Sequence, residues 1–367
     1  MKTDVVVVGA GPAECAAAYD LASRGVHVLL LDRTEFPRKK VCAGGLTVKA
    51  RRALPYSIEP VVQRTVRSLA VSCRLRRQRV LPGKDPICYM VDRPAFDLFC
   101  LQQTITAGAV FKVVERIDSI VESRGGVRMI TDRGSICCRY LIGADGVHSR
   151  VRLLTGRFEA IRFGFGVEGI VAGLPGNDPG MGFDFDRVGG GYGWAFSKKD
   201  HINVGLYTLR SQTLIRHQDL ADYVFRRLGG ATPGQVSGYR LGIGGWRYRP
   251  GQGRVLLAGD AAGLVDPLLG EGLYHAIVSG RKAARAVVDA MDTGCDACRS
   301  YETALTPIRR ELLFAMITAA VFYRLPDLGF ALLTSPAARI PLMGGFARGM
   351  PLLALVLNAY RFWLGRI

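Results

Sequence analysis

Near the start of the chain, two apolar stretches flank a segment with helical character. Four consecutive valines within residues 4–9 predict a buried strand, and residues 26–31 predict a second strand that ends in Asp32. Residues 12–23 predict a helix between them, with Pro12 in its first turn. The pattern is typical of a strand–helix–strand unit, the βαβ unit of a parallel sheet.

A strand and helix of similar type are predicted within residues 254–276. An apolar run at 254–257 predicts a buried strand, and the helix that follows runs to about residue 290. The turn and helix start carry the residues of interest, namely Gly259, Asp260, Pro267, Gly270, Gly272 and Leu273. A carboxylate and free helix N–H groups suit a ligand with sugar hydroxyls and phosphates, while the alternative is a plain packing unit.

The middle of the chain alternates between apolar and polar positions. Short strands are predicted within 61–91, and apolar residues recur at period two in 183–187, 193–197 and 202–208. Trp194 and Phe196 share one face of this predicted sheet. Such a face is either plain core or one side of a substrate site.

Composition adds an unusual charge to this picture. The 367 residues are 49% apolar with 45 glycines, which excludes a disordered or collagen-like chain. The formal charge of +18 favours an anionic partner, unless it is simply a solvated basic surface. Because the basic residues form short scattered groups without a recognisable nucleic-acid module, we expect a lipid surface or phosphorylated ligand and no nucleic acid.

Cysteine usage indicates a reducing compartment. The chain has nine cysteines, and no signal peptide precedes the first predicted strand, so we expect a cytoplasmic protein. Cys295 and Cys298 form a CxxC pair without a second pair nearby, so we expect no metal site.

The first predicted turn has the spacing of a dinucleotide site. Gly9 and Gly11 follow a strand directly, and Asp32 comes 23 residues after Gly9, where a ribose-binding acid is expected. Glu14 stands where this fingerprint has its third glycine. We therefore expect Glu14 to point away or to push the helix outward, and its charge is unfavourable beside a pyrophosphate.

A glycine-rich loop after the second strand carries Cys42. Gly44 and Gly45 allow the backbone to approach a flat ligand closely. Three cations at 38–40 are expected to lower the pKa of the Cys42 thiol. The alternative is a cysteine that serves as a small buried apolar residue.

Six stretches of the chain resemble known families. GAGPAE (9–14), DRPAFD (92–97), GADGVHSRVR (143–152) and VLLAGDAAGLVDPLLGEG (255–272) resemble FAD-dependent oxidoreductases of the para-hydroxybenzoate hydroxylase fold. KKVCAGGL (39–46) and GYGWAF (191–196) are similar to the geranylgeranyl reductase family. The resemblance extends in register from residue 1 to about residue 295.

The resemblance implies a mixed α/β (α+β) fold in three parts. A discontinuous Rossmann-like FAD-binding domain would comprise residues 1–60, 90–155 and 253–295. An inserted antiparallel β-sheet domain for the substrate would comprise 61–89 and 156–252, and a C-terminal helical region would comprise 296–367.

The resemblance also implies site residues. FAD would be bound by Gly9, Gly11, Pro12, Ala13, Asp32, Arg33, Cys42, Ala43, Gly44, Arg93, Asp145, Gly259, Asp260, Pro267, Gly270, Gly272 and Leu273. The substrate would face Gly45, Tyr192, Trp194 and Phe196 in an apolar tunnel. The family has prolines where this chain has Gly189 and Ser197, which leaves the particular lipid open.

The implied activity is a reductase that saturates carbon–carbon double bonds of a prenyl or related lipid. Hydride would come from N5 of reduced flavin, and an unpolarised alkene also requires a proton donor. Cys42 and Tyr192 are the catalytic candidates, and we prefer Cys42, although neighbouring cations favour its thiolate and Tyr192 suits a packing role. The alternative activity is an FAD-dependent monooxygenase or dehydrogenase acting on an aromatic ring or quinone.

The electron donor and the membrane contact are further expectations. Without a second complete dinucleotide fingerprint, reduced nicotinamide (NADPH or NADH) would bind transiently, and ferredoxin is the alternative donor. The apolar tail segments 312–323 and 350–358 are shorter than the roughly 20 residues that span a bilayer. Arginines interrupt the tail at Arg339, Arg348, Arg361 and Arg366. This pattern fits either a helical cap on the core or peripheral contact with the cytoplasmic face of a membrane.

Overall fold

The computed structural model describes residues 1–156, 161–173, 178–210, 212–247 and 249–364. The strands are β1 (Lys2–Val8), β2 (Val28–Asp32), β3 (Gly45–Thr47), β4 (Val62–Val66), β5 (Ser68–Cys73), β6 (Arg76–Pro82), β7 (Cys88–Val91), β8 (Val110–Val113), β9 (Ile117–Ser123), β10 (Gly126–Thr131), β11 (Gly134–Gly143), β12 (Arg162–Ala172), β13 (Met181–Phe185), β14 (Gly191–Ser197), β15 (His201–Thr208), β16 (Ser237–Ile243), β17 (Gly251–Gln252) and β18 (Val255–Leu257). The helices are α1 (Pro12–Ala22), α2 (Val48–Ala53), α3 (Arg93–Thr106), α4 (Arg150–Thr155), α5 (His217–Arg227), α6 (Leu273–Thr293), α7 (Ala297–Phe322), α8 (Pro326–Thr334), α9 (Pro336–Ala347) and α10 (Leu352–Leu364). Short 3₁₀ turns cover Glu59–Val61 and Gly259–Ala262.

The valine-rich strand β1 lies inside an eight-stranded sheet with the order β17-β18-β11-β1-β2-β8, which the β9–β10 hairpin extends. It pairs in parallel with both neighbours, so that Val6 lies opposite Leu29 and Leu141. Its valines are buried, as expected for a strand of a parallel sheet that is covered on both faces. The predicted mixed α/β fold with a βαβ unit is thus confirmed. β2 begins two residues later than predicted because the Val26 N–H donates to the Leu21 carbonyl after α1.

A seven-stranded sheet with the order β16-β12-β15-β14-β13-β5-β6 stands apart from the first. All its neighbours are antiparallel except β13 and β5. One face carries a cluster with Tyr192, Trp194 and Phe196, and the other packs Val204 with residues of α5. β13 ends two residues before the predicted position because Asp186 takes a positive φ of 58°. A third sheet, with the order β3-β7-β4, has three strands.

The start of α1 packs closely against the first half of α6 and against the turn after β18. A Cβ atom on Gly280 of α6 would overlap the carbonyl oxygen of Ala13, so the two helices approach at a glycine. A Cβ atom on Gly259 would lie 3.2 Å from the Cβ of Ala13. The N-terminal turn and the turn after β18 therefore form one continuous surface, although they are remote in sequence.

Four helices, α7–α10, form the tail of the described chain. The predicted helix at 312–323 is the second half of α7, which already begins at Ala297 with the Asp296 side chain as its cap. The polar first half is anchored by Tyr301, whose hydroxyl donates to the Leu257 carbonyl at 2.8 Å.

In the described part of the chain no single helix is long and apolar enough to cross a membrane, and α7 and α8 pass that test only as a pair bent by 113°. Arg366 lies outside the described residues. The predicted domain division stays a prediction.

Candidate functional site

The N-terminal turn has the geometry of an anion site. The Gly9 N–H donates to the Leu31 carbonyl at 2.6 Å, and the Asp32 carboxylate accepts from the Ala10 N–H at 2.8 Å. Gly11 is the N-cap of α1 and has no side chain to cap the helix, Pro12 has no N–H, and the Glu14 carboxyl group accepts from the N–H of Glu14 itself. Gly9, Gly11, Pro12 and Ala13 are buried here, while Arg33, just beyond Asp32, is exposed.

Arg38, in the loop after β2, reaches the N-terminal turn and was not among the site residues predicted from the sequence. Its guanidinium lies between two carboxylates, 3.8 Å from Asp32 Oδ2 and 3.6 Å from Asp97 Oδ2. One of its nitrogens would lie 3.4 Å from a Cβ atom on Gly11. Its Nε is buried and has no hydrogen-bond partner, so the turn contains a cationic donor available to a phosphate.

The Glu14 side chain turns into the same turn. A Cβ atom on Gly9 would overlap Glu14 Oε1, and one on Gly11 would lie 3.1 Å from Oε2. The expectation that Glu14 points away or pushes the helix outward is therefore wrong, because the two glycines leave room for its carboxyl group. Burial raises the pKa of this carboxyl to about 8.

The second turn presents an acid and an uncapped helix to the same region. α6 begins after Gly272, which is its N-cap and provides no side-chain hydrogen bond. Asp260 Oδ1 lies 3.4 Å from the position of a Cβ on Gly272, and the carboxyl is only partly exposed. Burial raises the pKa of Asp260, and the positive charges of Lys40 and Arg93 oppose that rise.

Three tyrosines hold the segment before α6 by its backbone. The Tyr207 hydroxyl donates to the Pro267 carbonyl at 3.0 Å, Tyr323 donates to that of Leu268, and Tyr192 donates to that of Leu269. Burial raises the pKa of the Tyr192 hydroxyl well above its usual range. Tyr192 therefore stays protonated, and its hydroxyl proton is used in the hydrogen bond to the Leu269 carbonyl.

A buried ion pair connects the segment before α6 to the region after Cys42. Lys49 Nζ lies 2.9 Å from Glu271 and 3.5 Å from Glu311, and the Thr47 hydroxyl donates to Glu271 at 2.6 Å. Burial alone would raise the pKa of Glu271, but the charge of Lys49 holds the pKa below its usual value. The strand β3 and helix α2 are thereby fixed against the start of α6.

Cys42 is partly exposed and lies beside a buried carboxyl group that the sequence analysis missed. The Cys42 N–H donates to Glu168 at 3.2 Å, and the Gly44 N–H donates to the Cys42 sulfur at 3.4 Å. Burial raises the pKa of Glu168, while a hydrogen bond from Asn203 opposes the rise. Asn203 also accepts from the Trp194 indole at 2.7 Å, so one polar chain joins the cysteine loop to the aromatic face.

The glycines after Cys42 bring this loop against two neighbouring strands. Gly44 has a φ of +75°, and a Cβ atom there would overlap the carbonyl oxygen of Val91. A Cβ atom on Gly45 would lie 3.4 Å from the ring of Phe196. Gly44 is buried against the neighbouring strand, whereas Cys42, Ala43 and Gly45 are partly exposed. These three residues are therefore the part of the loop that a ligand can contact.

The aromatic side chains predicted for the substrate lie in one buried cluster. The rings of Phe183 and Phe196 are 5.2 Å apart between centroids, and Tyr192 lies at 5.2 Å from Phe183 and 6.3 Å from Trp194. Phe322 of α7 closes the cluster at 4.7 Å from Phe185. The tail helices therefore complete the apolar side of the site.

Two predicted cofactor residues use their charged groups for internal contacts. Arg93 makes two hydrogen bonds to Asp97, at 2.8 and 2.9 Å, and its guanidinium also neighbours Cys42. Asp145 accepts from the Ser149 hydroxyl at 2.6 Å and from two backbone N–H groups at the start of α4. Asp145 therefore caps α4, and its assignment to the cofactor stays a prediction.

The residues fit a flavin dinucleotide in two halves. One half offers Arg38 and the glycine turn before α1 to phosphates, and the other offers Asp260 and the start of α6, which has no side-chain cap, to a ring and sugar chain. Five residues of the second half and of the Cys42 loop are each only partly exposed, namely Cys42, Ala43, Asp260, Gly270 and Gly272. Among the described residues no group of three or more His, Cys, Asp or Glu is arranged to hold a metal ion.

Comparison with known proteins agrees with this geometry. The family described as "FAD binding domain" matches residues 2–54. An uncharacterised protein of Methanosarcina barkeri is 33% identical over 297 residues, covering 80% of this chain and 76% of its own length. A digeranylgeranylglycerophospholipid reductase of Methanothrix thermoacetophila is 30% identical over 328 residues, with 82% of each chain covered. A geranylgeranyl bacteriochlorophyll reductase-like structure from Thermoplasma acidophilum superposes with a TM-score of 0.81 at 20% identity, covering 98% of this chain and 95% of its own.

Proposed function

This chain belongs to the geranylgeranyl reductase family of FAD-dependent oxidoreductases, and from that premise we propose that it saturates carbon–carbon double bonds of a prenyl lipid of geranylgeranyl type. The observation that supports this proposal most is the meeting of three features: the Cys42 loop, the start of α6 and the aromatic cluster around Tyr192 and Phe196. The start of α6 would hold the flavin ring, the Cys42 loop carries a thiol beside it, and the buried aromatic cluster offers an apolar surface. Such a combination suits an apolar substrate.

The chain's own residues have defined tasks in this proposal. Bound FAD supplies the hydride, from N5 of its reduced ring. The N–H groups at the start of α6 stabilise negative charge on that ring, and Asp260 accepts from hydroxyls of the sugar chain. Trp194 and Phe196 exclude water and hold the prenyl chain, because their faces are apolar and their positions are fixed by the sheet.

We propose Cys42 as the proton donor and Glu168 as the residue that positions it. Tyr192 is less suited to the task because its hydroxyl proton is engaged by the Leu269 carbonyl. Glu168 accepts from the Cys42 N–H, and burial raises the pKa of the Glu168 carboxyl, which favours its neutral form. A carboxyl group with a raised pKa ionises less readily beside the loop and so opposes a thiolate there less.

The direct test is anaerobic turnover of the reduced holoprotein with a geranylgeranyl lipid. We expect the lipid to gain mass in steps of two hydrogens as flavin is oxidised. Reduced nicotinamide and reduced ferredoxin are supplied in parallel, because either is the proposed electron donor. Flavin oxidation that proceeds with saturating lipid and without mass gain would contradict the proposal, and turnover that requires oxygen would favour a monooxygenase.

The role of Cys42 is tested by substitution. Cys42→Ala should lower kcat about 100-fold through loss of the proton donor and leave FAD bound. Glu168→Gln should lower kcat less and shift the pH profile, since it preserves the hydrogen bond acceptor while removing the titratable group. Equal rates for wild type and Cys42→Ala would reject the cysteine as donor.

We further propose peripheral membrane contact through the tail. Large apolar side chains are exposed on α7–α10 and the turn between α7 and α8, namely Leu313, Ile317, Val321, Leu325, Leu328, Leu332, Ile340, Leu353, Val356 and Leu357. Arg324, Arg339 and Arg348 are exposed among them and match the charge of anionic headgroups. The same helices complete the aromatic cluster through Phe322, so a lipid leaving the bilayer would have a short path to the site.

Flotation with lipid vesicles tests this contact. We expect the protein to float with vesicles that contain phosphatidylglycerol, and a triple change of Ile317, Val321 and Leu325 to Ser should abolish flotation. Val121→Ser, an equally exposed apolar position on β9, is the matched control and should float like the wild type. Flotation that survives the triple change would place the contact elsewhere.

A further inference from the structure

Glu14 shares the space in which a dinucleotide phosphate would lie. It is the third residue of α1, and its carboxyl group lies over Gly9 and Gly11, the two residues whose missing side chains open the turn. The nearby Arg38 nitrogen would lie 3.4 Å from a Cβ on Gly11, against 3.1 Å for Glu14 Oε2. A bound diphosphate would therefore contact both the guanidinium and the carboxyl group.

Burial is the largest influence on the charge of Glu14: the N–H of Glu14 itself and Arg38 favour the charged carboxylate, but they do not outweigh burial. The groups that face Glu14 are Asp32 at the end of β2, Arg38 in the loop that follows, Asp97 of α3 and Cys15 of α1. Arg38 is the one cation among these four, and Asp32 and Asp97 share it at 3.8 and 3.6 Å. Burial raises the pKa of Glu14 to about 8, and the two carboxylates act in the same direction.

A diphosphate adds further negative charge to this turn. An ionised Glu14 in contact with it would be repelled strongly, because the turn is buried and the local dielectric is low. A neutral carboxyl group has an O–H that can donate to a phosphate oxygen. We propose that this turn binds FAD only with Glu14 in its neutral form, so that above the titration range of Glu14 each FAD bound takes up one proton.

The inference concerns cofactor binding and does not depend on the lipid that is reduced. It is tested with the full chain, freed of flavin by dialysis and titrated with FAD from pH 6.5 to 9.5 by flavin fluorescence. We expect Kd of the wild type to be constant at low pH and to rise up to tenfold per pH unit above about pH 8. Kd of Glu14→Gln should stay flat, because glutamine keeps the shape and the donor and cannot ionise.

Calorimetry gives a second readout at pH 9. Titrations in two buffers of different ionisation enthalpy should show uptake of about one proton per FAD in the wild type and none in Glu14→Gln. Glu59→Gln, which changes an exposed carboxyl group, is the matched control and should follow the wild type. Thermal unfolding of each flavin-free variant establishes that the chain is folded.

Four outcomes would overturn the inference. Parallel pH curves for the wild type and Glu14→Gln would mean that another group titrates. Weaker binding by Glu14→Gln at every pH would mean that the carboxylate itself is a ligand. Wild-type Kd that does not change with pH would mean that FAD binding leaves the protonation of Glu14 unchanged, and Kd that falls as pH rises would mean that Glu14 releases its proton when FAD binds. Prenyl reduction could be present or absent in each of these cases, so the two proposals fail separately.

Discussion

Two glutamates stand beside the two helix starts that frame the cofactor site, and their surroundings are opposite. Glu14 in α1 faces two carboxylates and a guanidinium that those carboxylates share. Glu271, just before the N-cap of α6, has Lys49 at 2.9 Å and a hydrogen bond from Thr47. Burial raises the pKa of Glu14 to about 8, whereas Lys49 outweighs burial and holds the pKa of Glu271 below its usual value.

The comparison shows that a helix start does not by itself keep a buried glutamate charged. Both carboxyl groups lie near the positive end of a helix, yet only the one with a close ammonium group has a lowered pKa. The start of α1, which we propose to face phosphates, carries the glutamate with the raised pKa, and the start of α6, which we propose to face the flavin ring, is held in place by the glutamate with the lowered pKa. The two helix starts thus differ in how readily their glutamate ionises.

The two halves should respond to pH in opposite directions. An unfolded glutamate releases its proton near pH 4.5, but folded Glu14 retains it up to about pH 8, so its contribution to stability falls as pH rises across that interval. The pKa of folded Glu271 lies below 4.5, so its contribution is complete above that value and is lost as pH falls below it. Ionisation of Glu14 should therefore destabilise the protein at high pH, and protonation of Glu271 should destabilise it at low pH.

The largest expected effect comes from removing the cation that distinguishes the two sites. Lys49→Met leaves Glu271 and Glu311 buried together without the ammonium group between them. We expect the free energy of unfolding to fall by about 3 kcal/mol, the usual result of breaking a buried ion pair. Urea unfolding of the full chain at pH 7 measures it.

Two further variants control the Lys49→Met measurement. Lys199→Met, at an exposed position, should change the free energy of unfolding by less than about 0.5 kcal/mol. Adding Glu271→Gln to Lys49→Met should restore part of the loss, since one unpaired charge is removed. A loss below about 1 kcal/mol in Lys49→Met would show that α6 does not depend on this pair.

The second largest expected effect is the loss of stability that Glu14 causes as pH rises. Between pH 6 and pH 8 the wild type should lose stability relative to Glu14→Gln by about 2 kcal/mol, because the folded carboxyl group resists ionisation. Urea unfolding of both flavin-free chains at each pH measures the difference. Identical slopes for the two proteins would show that Glu14 titrates normally and that its burial has no electrostatic cost.

The sequence predicted the fold well because strong local patterns specify it. Four valines, Gly9 and a helix that starts with Pro12 are all consistent with one βαβ unit, and β1, α1 and β2 follow that pattern within two residues. The substitution at Glu14 was also evident in the sequence. The direction in which the Glu14 side chain points was not evident. It depends on the empty space above Gly9 and Gly11, which no local pattern encodes.

The missed residues share a different cause. Glu168 lies 126 positions from Cys42, and Glu271 lies 224 positions from Thr47, so their contacts exist only after the sheets and helices have packed. Arg38 was visible as one of three consecutive cations, but nothing local separates it from Lys39 and Lys40. Asp145 was assigned to the cofactor through resemblance, whereas in the structure it caps α4.

The smallest effect separates the hydrogen bond at Glu271 from the ion pair. The Thr47 hydroxyl donates to Glu271 at 2.6 Å and accepts from the Ala50 N–H at the start of α2, so Thr47→Val removes both contacts. We expect a loss of about 1 kcal/mol in the free energy of unfolding, with an acid transition at higher pH because Glu271 is less stabilised as an anion. Thr47→Ser retains the hydroxyl and should match the wild type in both respects. If Thr47→Val keeps wild-type stability while Thr47→Ser loses it, the methyl group rather than the hydrogen bond supports the start of α6, and Lys49 alone accounts for the contrast between the two glutamates.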